Sequence, residues 1–299
     1  MIDMHVLNSL PEHNLFGLEE QDYKTARIAV LPVPYDSTST YSPGSRFGPD
    51  AIIEASRNLE LYNIETRSDP AKLGIFTLEQ LAPDLSGPER MVRRISKEVS
   101  VLLQDRKVPL ILGGEHTVAV GAVDALSNTR KEFTILHFDA HSDSRDELYG
   151  SRYCHACAMA RMAELHKDYY SIGVRSMDKD SAVRRNGRII RMGDVHAMGI
   201  KALAGLLAMK SERNIYITFD LDALDPSEMP STGTPEPDGF RFSEIMELFS
   251  LLLPKKNLIG MDFTELMPIP GLRAPDFLAA KLIYNTLAYA YSGKPAQKA

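Results

Sequence analysis

The sequence has few of the features that would place it in a specialised class of protein. Only two cysteines are present, which excludes a framework of disulfide bonds. Its apolar runs, such as VPLILGG, stop far short of the roughly 18–20 residues that a membrane-spanning helix needs, so we expect no contact with a membrane. Positive charge is not in excess, since 34 Lys and Arg face 40 Asp and Glu. Because phosphate binding needs a basic face, this balance argues against nucleic acid as the main partner.

The segment MIDMHVLNSLPEHN has neither the basic start nor the apolar core of a secretory signal. Together with the low cysteine content, this favours a cytoplasmic protein. Hydrophobic residues make up 44% of the chain, which is enough for a substantial core. A length of 299 residues accommodates one large α/β domain or two small ones.

Short apolar runs rich in β-branched residues recur along the chain and predict β-strands. Most of them are continuous rather than alternating, as in strands that are buried on both faces. The runs cover residues 27–33, 73–78, 108–114, 133–139, 169–175, 187–192, 214–220 and 257–263. Amphipathic helical patterns lie between them, at residues 48–62, 89–104, 195–209, 242–253 and 274–291. This alternation predicts an α/β fold whose mostly parallel sheet is covered by helices and binds ligands at the carboxyl ends of its strands.

Three of the predicted strands end in clustered acidic and imidazole side chains. The three motifs are GGEH (113–116), DAHSD (139–143) and TFDLDALDP (218–226). Side chains alternate along a strand, so Asp139 and His141 should point the same way, as should Asp220 and Asp222. If these two strands are neighbours, four side chains converge on one spot, and His116 can complete the group.

Such a cluster predicts bound cations, because gathered carboxylates repel each other and lose hydration at a strand end. With Asp143 the number of ligands reaches six, which is too many for one zinc ion and natural for two metal ions. Mixed carboxylate and imidazole ligands suit Mn²⁺, Zn²⁺, Fe²⁺ or Co²⁺. A single D-x-H or D-x-D is often only a cap or a turn. The prediction therefore rests on the agreement of all three segments.

At this point the sequence resembles the ureohydrolase family, which includes arginase, agmatinase and guanidinobutyrase. Besides the three motifs, the segments SPGSRFGPDAIIEAS (42–56), STGTPEPDG (231–239) and MDFTELMP (261–268) match the family in order. The resemblance covers roughly residues 27–290. It implies a three-layer α/β/α fold with a mostly parallel eight-stranded sheet. We expect one domain over residues 1–299, with an N-terminal arm at 1–25 and a polar tail at 292–299.

The resemblance also implies the composition of the site, with two Mn²⁺ ions per chain. One ion would be held by His116, Asp139, Asp143 and Asp220, and the other by Asp139, His141, Asp220 and Asp222. In the family mechanism, a hydroxide that bridges the metals attacks the guanidino carbon, and a C–N bond is cleaved to release urea. The resemblance further implies a homo-oligomer, either a trimer or a hexamer.

Two catalytic residues follow from the same alignment of motifs. His155 corresponds to the histidine that passes protons to the leaving amine, and the alternative is an ordinary histidine at a helix entry. Glu265 corresponds to the carboxylate that pairs with the guanidinium group, and the alternative is a strand-end acid that holds an arginine. We expect His137 to be packed and hydrogen-bonded rather than a metal ligand, Asp225 to shape a turn and Glu236 to shape a loop, and we assign no role to Arg175.

The substrate is predicted from loops. Arginases carry an Asn-Thr element that holds the carboxylate of the amino acid, and residues 144–152 lack it. Asp146 and Glu147 in this segment would favour an amine at the distal end of the substrate. The segment and the GTPEPDG run are more similar to archaeal-type agmatinases than to arginases. We therefore expect a small cationic guanidine, foremost agmatine, which would give putrescine for polyamine biosynthesis. The alternatives are aminopropylagmatine, 4-guanidinobutyrate and, less favoured, arginine.

Other classes of protein stay open. Histone-deacetylase-like amidohydrolases share the broader fold but usually hold a single zinc ion, and a non-catalytic metal-binding protein is the third possibility. The Cys154 and Cys157 pair is typical of redox or zinc motifs elsewhere, but no second pair completes a zinc site. We interpret the two cysteines as incidental small residues beside His155. Glu115, where many family members carry Asp, and Ala156-Cys157, where many bacterial agmatinases carry Gly-Thr, loosen the subfamily assignment.

Overall fold

The protein is described by a computed structural model that covers residues 12–19, 21–184 and 187–292. Much of the predicted N-terminal arm (1–11 and 20) and nearly all of the predicted polar tail (293–299) lie outside the described residues. The described part of the arm is not a free extension, because Leu15 and Phe16 are buried in the core. None of the helices over the described ranges combines the length and the apolar content that crossing a bilayer requires.

All eight predicted strands are present, and they form one sheet in which every pair of neighbours is parallel. The strands are β1 (Ile28–Val33), β2 (Ile75–Thr77), β3 (Val108–Gly113), β4 (Thr134–Phe138), β5 (Tyr169–Val174), β6 (Ile189–Arg191), β7 (Asn214–Asp220) and β8 (Asn257–Thr264). Their order is β2-β1-β3-β8-β7-β4-β5-β6. From β1 the chain moves outward to β2 and then returns to β3, and from β4 it moves outward through β5 and β6 before it returns to β7 and β8. The neighbouring strands β4 and β7 therefore lead to their next strands in opposite directions. Ligands bind at the switch point between such strands.

Helices cover both faces of the sheet and complete the predicted three-layer arrangement. They are α1 (Gly48–Ser56), α2 (Pro88–Gln104), α3 (Val118–Thr129), α4 (Ala158–Leu165), α5 (Lys179–Arg184), α6 (Met192–Met198), α7 (Ile200–Lys210), α8 (Phe242–Leu252) and α9 (Ala274–Tyr291). One core contains the buried side chains of α1 and α6 to α9, and a second core on the opposite face contains those of α2 to α4. The α/β class predicted from the sequence is confirmed.

Two predicted helices differ from their apolar patterns, one because it ends early and the other because it is interrupted. The helix predicted over 48–62 ends at Ser56, where a turn at Arg57 follows. The helix predicted over 195–209 is two helices, because Gly199 adopts a φ of 79° between α6 and α7. A left-handed backbone cannot continue a right-handed helix, and glycine adopts it at low cost.

The turn after β3 depends on Gly114, the second glycine of the motif GGEH (113–116). The backbone of Gly114 passes so close to β1 that a Cβ atom there would lie 2.1 Å from the carbonyl oxygen of Tyr35. Its N–H donates to the carbonyl of Val33 at 3.0 Å, and the N–H of Glu115 donates to that of Tyr35 at 2.8 Å. This close approach fixes where the chain leaves β3, and hence where His116 enters the site.

Candidate binuclear metal site

The six predicted metal ligands come together at the carboxyl ends of three of the four central strands. His116 lies just beyond β3, Asp139 directly follows β4, and Asp220 is the last residue of β7. Strands β4 and β7 are neighbours, as the sequence argument required, and Phe138 is in register with Phe219. Asp139 directly follows Phe138, and Asp220 directly follows Phe219. The register of the two strands therefore places Asp139 beside Asp220.

Asp222 and His141 reach the cluster for a different reason than the predicted alternation of side chains along a strand. Asp222 and His141 do not lie on strands, since β7 ends at Asp220 and β4 ends at Phe138. Asp222 belongs to a short 3-10 turn (Leu221–Ala223), and its N–H donates to Asp220 Oδ1 at 2.8 Å. Turns rather than strand alternation therefore direct these two side chains to the site.

The first half of the cluster surrounds the imidazole of His116. Its Nδ1 atom lies 3.1 Å from Asp139 Oδ2, 3.3 Å from Asp143 Oδ2 and 3.3 Å from Asp220 Oδ2. The Nδ1 atom is buried and makes no hydrogen bond within the described part of the chain. A buried nitrogen that faces three carboxylate oxygens in this way has the donor set of a divalent-cation site.

The second half of the cluster shares Asp139 with the first. His141 Nδ1 lies 2.9 Å from Asp222 Oδ2 and 3.6 Å from Asp139 Oδ1, so the two oxygens of Asp139 face different halves. Burial and the negative charges of Asp222 and Asp139 raise the pKa of Asp220. This repulsion is what bound cations would offset. The cluster therefore fits a binuclear metal site.

Hydrogen bonds behind the cluster orient its two innermost groups. Thr218 Oγ1 donates to Asp262 Oδ1 at 2.8 Å, so it accepts the hydrogen of His116 Nε2, also at 2.8 Å. This bond leaves the lone pair of His116 Nδ1 facing the cluster. On the other side, His137 is fully buried and contacts Asp139 Oδ2 through Nε2 at 2.8 Å. It also contacts Ser171 Oγ through Nδ1 at 3.0 Å, so the prediction that His137 is packed and hydrogen-bonded is confirmed. That His137 is not a ligand stays a prediction, because its ring lies within reach of His116, Asp139 and Asp143.

The cluster lies at the base of a cavity of about 210 Å³ that also contains both predicted catalytic side chains. Glu265, just after β8, has a φ of 66°, and its Oε1 accepts from the N–H of His116 at 2.8 Å. Burial and the nearby charge of Glu115 raise the pKa of Glu265. Among the described residues no arginine pairs with Glu265, so the alternative role as an arginine partner finds no support.

His155 begins a 3-10 turn (His155–Cys157) and lines the same cavity. Its Nε2 lies 3.3 Å from Thr40 Oγ1, and its Nδ1 lies 3.5 Å from Thr38 Oγ1. Burial lowers the pKa of His155. The neutral imidazole, which can both accept and return a proton, is therefore the favoured form near pH 7.

The structure gives no support to a substrate contact by Asp146 or Glu147. Asp146 Oδ1 accepts from Arg161 Nη2 at 2.8 Å and from Arg152 Nη2 at 3.3 Å, so it belongs to a group of ion pairs outside the cavity. Neither Asp146 nor Glu147 lines the cavity. Asp178, which follows β5, lines it instead and accepts from Ser181 N at 2.9 Å. The sequence argument missed Asp178, although its place just after a predicted strand was a signal.

Arg175 has a structural role that the sequence argument did not assign. Its guanidinium donates to the carbonyl oxygens of Asp222 at 2.7 Å, Glu236 at 2.9 Å and Pro237 at 2.9 Å. It therefore connects the turn that carries Asp222, a predicted metal ligand, to the loop at 231–239. Backbone carbonyls leave no trace in a sequence, so this role could not be predicted.

Three other predictions concern side chains near the site. Asp225 shapes a turn as predicted, since Oδ1 accepts from Ser227 N at 3.0 Å and Oδ2 from Gly239 N at 3.0 Å. Glu236 lies in the loop, with Oε1 at 3.7 Å from His141 Nε2. Cys154 and Cys157 are buried free thiols whose sulfur atoms are 3.3 Å apart. Neither cysteine belongs to a possible metal cluster within the described ranges.

Comparisons with known proteins identify the family of this chain. The model of the arginase family matches residues 26–288. The N(1)-aminopropylagmatine ureohydrolase of Thermus thermophilus is 37% identical over 276 residues, which cover 91% of this chain and 93% of the relative. The agmatinase of Halalkalibacterium halodurans is 31% identical, over 91% of this chain and 95% of the relative. The crystal structure of the agmatine ureohydrolase of Thermoplasma volcanium superposes with a TM-score of 0.86 at 32% identity, over 96% of each chain. The chain, with its paired carboxylate and imidazole groups at the switch point of a parallel sheet, belongs to the arginase family.

Proposed function

We propose that this arginase-family ureohydrolase hydrolyses the guanidino group of a small substrate that carries an amine at its other end. The observation that carries the proposal is the convergence of two ligand groups, shared through Asp139, with His155 and Glu265 in one cavity. A guanidinium is a poor electrophile because its pKa exceeds about 12. Its hydrolysis therefore needs an activated water, a group that holds the guanidinium and a group that protonates the departing nitrogen.

Two divalent cations, held by His116, Asp143 and the four other ligands of the cluster, would supply Lewis-acid activation of water near neutral pH. The remaining steps belong to side chains of this chain. The Glu265 carboxylate binds the planar guanidinium and turns its carbon toward the cluster. The His155 imidazole, whose pKa is lowered by burial, takes up the proton that the attacking water loses and returns it to the amine nitrogen as the C–N bond breaks. Asp178 lies in the same cavity and provides a negative charge for a distal ammonium group.

Agmatine and its aminopropyl derivative both satisfy this description. The missing Asn-Thr element at 144–152 and the GTPEPDG run favour agmatine, and the greater identity to the Thermus thermophilus relative favours aminopropylagmatine as a second candidate. Both carry a cationic distal end, whereas arginine adds a carboxylate that Asp178 would repel. In 4-guanidinobutyrate a carboxylate replaces the distal amine altogether.

Urea release by the metal-loaded protein tests the proposal on four substrates, namely agmatine, aminopropylagmatine, arginine and 4-guanidinobutyrate. We expect kcat/KM for at least one of the two amines to exceed that for arginine by tenfold or more, which is about 1.4 kcal/mol. A preference for arginine would overturn the substrate proposal. Failure to cleave any of the four would instead favour the non-catalytic alternative.

The assignment of His155 is tested by His155→Asn, which keeps a polar side chain but cannot carry the proton. We expect kcat to fall about a hundredfold, at the low end of the range for a lost general acid, while the metal content stays that of the wild type. His196→Asn is the matched control, because His196 lies at the surface 3.8 Å from Asp238 and outside the cavity. If both variants keep wild-type kcat, His155 is only a helix-entry histidine.

The remaining parts of the proposal concern the metal and its setting. We infer manganese as the physiological metal, since carboxylate-rich ligand sets with two imidazoles suit it. A homo-oligomer, trimer or hexamer, and a cytoplasmic location remain predictions that follow from the family and from the composition. The domain organisation over 1–299 likewise remains a prediction.

A further inference from the structure

The loop between β1 and α1 reaches into the cavity and is braced at both ends. Asp36 is buried, and its Oδ2 accepts from the N–H groups of Gly44 at 2.9 Å and Arg46 at 3.1 Å. The side chain of Arg46 also pairs with the Asp36 carboxylate. These contacts hold the two ends of the loop together, so that Thr38 and Thr40 lie in fixed positions beside His155.

Thr38 connects the loop to a buried carboxylate. Glu115 is fully buried, and both of its oxygens are occupied by Thr38, whose N–H donates to Oε2 at 2.7 Å and whose hydroxyl donates to Oε1 at 2.8 Å. A hydroxyl has one hydrogen and two lone pairs. Since the hydroxyl of Thr38 donates its hydrogen to Glu115, the oxygen of Thr38 is left to accept from its other neighbours.

Both other neighbours belong to His155. Its backbone N–H donates to Thr38 Oγ1 at 3.1 Å, and its Nδ1 lies 3.5 Å from the same oxygen. An imidazole nitrogen that faces an oxygen with no hydrogen to give is stabilised when it carries the hydrogen itself. The other nitrogen, Nε2, then presents its lone pair toward Thr40 and the cavity.

We propose that Thr38, held by the Glu115 carboxylate, is a positioning residue that fixes the tautomer and the orientation of the His155 imidazole. The inference rests on the proposed function of His155 as the proton carrier. The Nδ1–H tautomer leaves Nε2 free to take up a proton, and the bond from the His155 backbone fixes the turn that carries the ring. Glu115 stands where many members of the ureohydrolase pattern carry Asp, and in this chain its carboxylate contacts both the N–H and the hydroxyl of Thr38.

A double-mutant cycle tests the coupling between the two residues. Thr38→Val removes the hydroxyl at constant shape, and we expect kcat to fall about tenfold with KM for agmatine changed less than twofold. Thr38→Ser keeps the hydroxyl and should return kcat to within threefold of the wild type. In a His155→Asn background, Thr38→Val should change kcat less than twofold, because the positioned group is already gone. A tenfold loss that persists in that background would show a structural role and overturn the proposal.

Stability must be separated from positioning in this experiment. Thr38→Val leaves a buried oxygen of Glu115 without its hydroxyl partner, so Tm should also fall. Rates are therefore compared well below the Tm of each variant, with the folded fraction and the bound metal measured in the same samples. Thr38→Ser is the control for both, since it restores the partner of Glu115.

Nitrogen-15 NMR of the metal-free protein gives a readout that does not depend on turnover. The signals of His155 are identified by their loss in His155→Asn, and we expect the Nδ1–H tautomer in the wild type and its loss in Thr38→Val. An Nε2–H tautomer in the wild type would overturn the proposal. If the wild type cleaves no guanidine but shows the expected tautomer, the proposed function fails while the positioning by Thr38 stands.

Discussion

Replacement of Asp139 by Asn is expected to lower kcat about a thousandfold or more and to remove at least one of two bound metal ions per chain. Asp139 is the group that both halves of the cluster share, since Oδ2 lies 3.1 Å from His116 Nδ1 and Oδ1 lies 3.6 Å from His141 Nδ1. Asn has one oxygen and no charge, so it cannot serve both halves. Urea release and metal analysis of the purified variant measure the two effects.

Asp225→Asn is the matched control for this variant. Asp225 lies near Asp222 in the chain, but its carboxylate accepts from Ser227 and Gly239 and does not line the cavity. An Asn side chain can keep one accepting oxygen in such a turn, so we expect wild-type metal content and kcat within threefold. If Asp139→Asn retains both metals and full activity, the shared-carboxylate account is wrong.

Replacement of Glu265 by Gln is expected to lower kcat/KM by about a hundredfold to a thousandfold without loss of metal. Loss of one partner of a buried charge pair costs about 2–5 kcal/mol. Here the pair consists of the Glu265 carboxylate and the substrate guanidinium, so it forms only when the substrate is bound. The amide oxygen of Gln can still accept from the N–H of His116, so the turn that carries this ligand should be preserved. Steady-state kinetics on the preferred amine, with metal analysis of the same preparation, measures the effect.

The control for Glu265 is Glu236→Gln, which removes a carboxylate of equal size near the site. Glu236 is partly exposed and lies 3.7 Å from His141 Nε2, and we predict that it shapes the loop at 231–239 rather than the reaction. Its replacement should change kcat/KM less than about threefold. Equal losses in the two variants would show a general effect of negative charge and would contradict a specific role for Glu265.

The main architecture was predictable because two signals are local. Each β-strand is a short apolar run, and each predicted ligand motif directly follows such a run, as in the passage from Phe138 to Asp139. Since the carboxyl ends of parallel strands share one edge of a sheet, convergence of the motifs follows from fold class alone. What the sequence could not provide is the neighbour relation of β4 and β7, which are far apart in the chain.

The helices show when the spacing of apolar residues predicts a helix and when it does not. In α2 the buried side chains of Met91, Ile95 and Val99 lie at helical spacing, and the helix was predicted nearly to the residue. In α3, eight residues are buried around the whole circumference, so no polar face marks the period and the helix was missed. A fully buried helix and a buried strand have the same apolar composition.

The site residues that were missed or misplaced depend on contacts rather than residue type. The charge of Asp146 suggested a substrate contact, but Arg161 and Arg152 hold it outside the cavity. Arg175 acts through backbone carbonyls, and Thr38 acts through a carboxylate 77 positions away in the chain. Such roles follow from tertiary packing, which a motif with fixed spacing does not contain.

Calorimetric titration of the metal-free protein with Mn²⁺ tests the central claim, which is that two divalent ions share Asp139 at the carboxyl ends of the strands. The account predicts two equivalents bound per chain in the wild type and fewer than two in Asp222→Asn, with urea release from agmatine following the occupancy of both sites. Saturation at a single equivalent in the wild type would favour the one-metal amidohydrolase alternative, and the absence of any binding would contradict the account altogether.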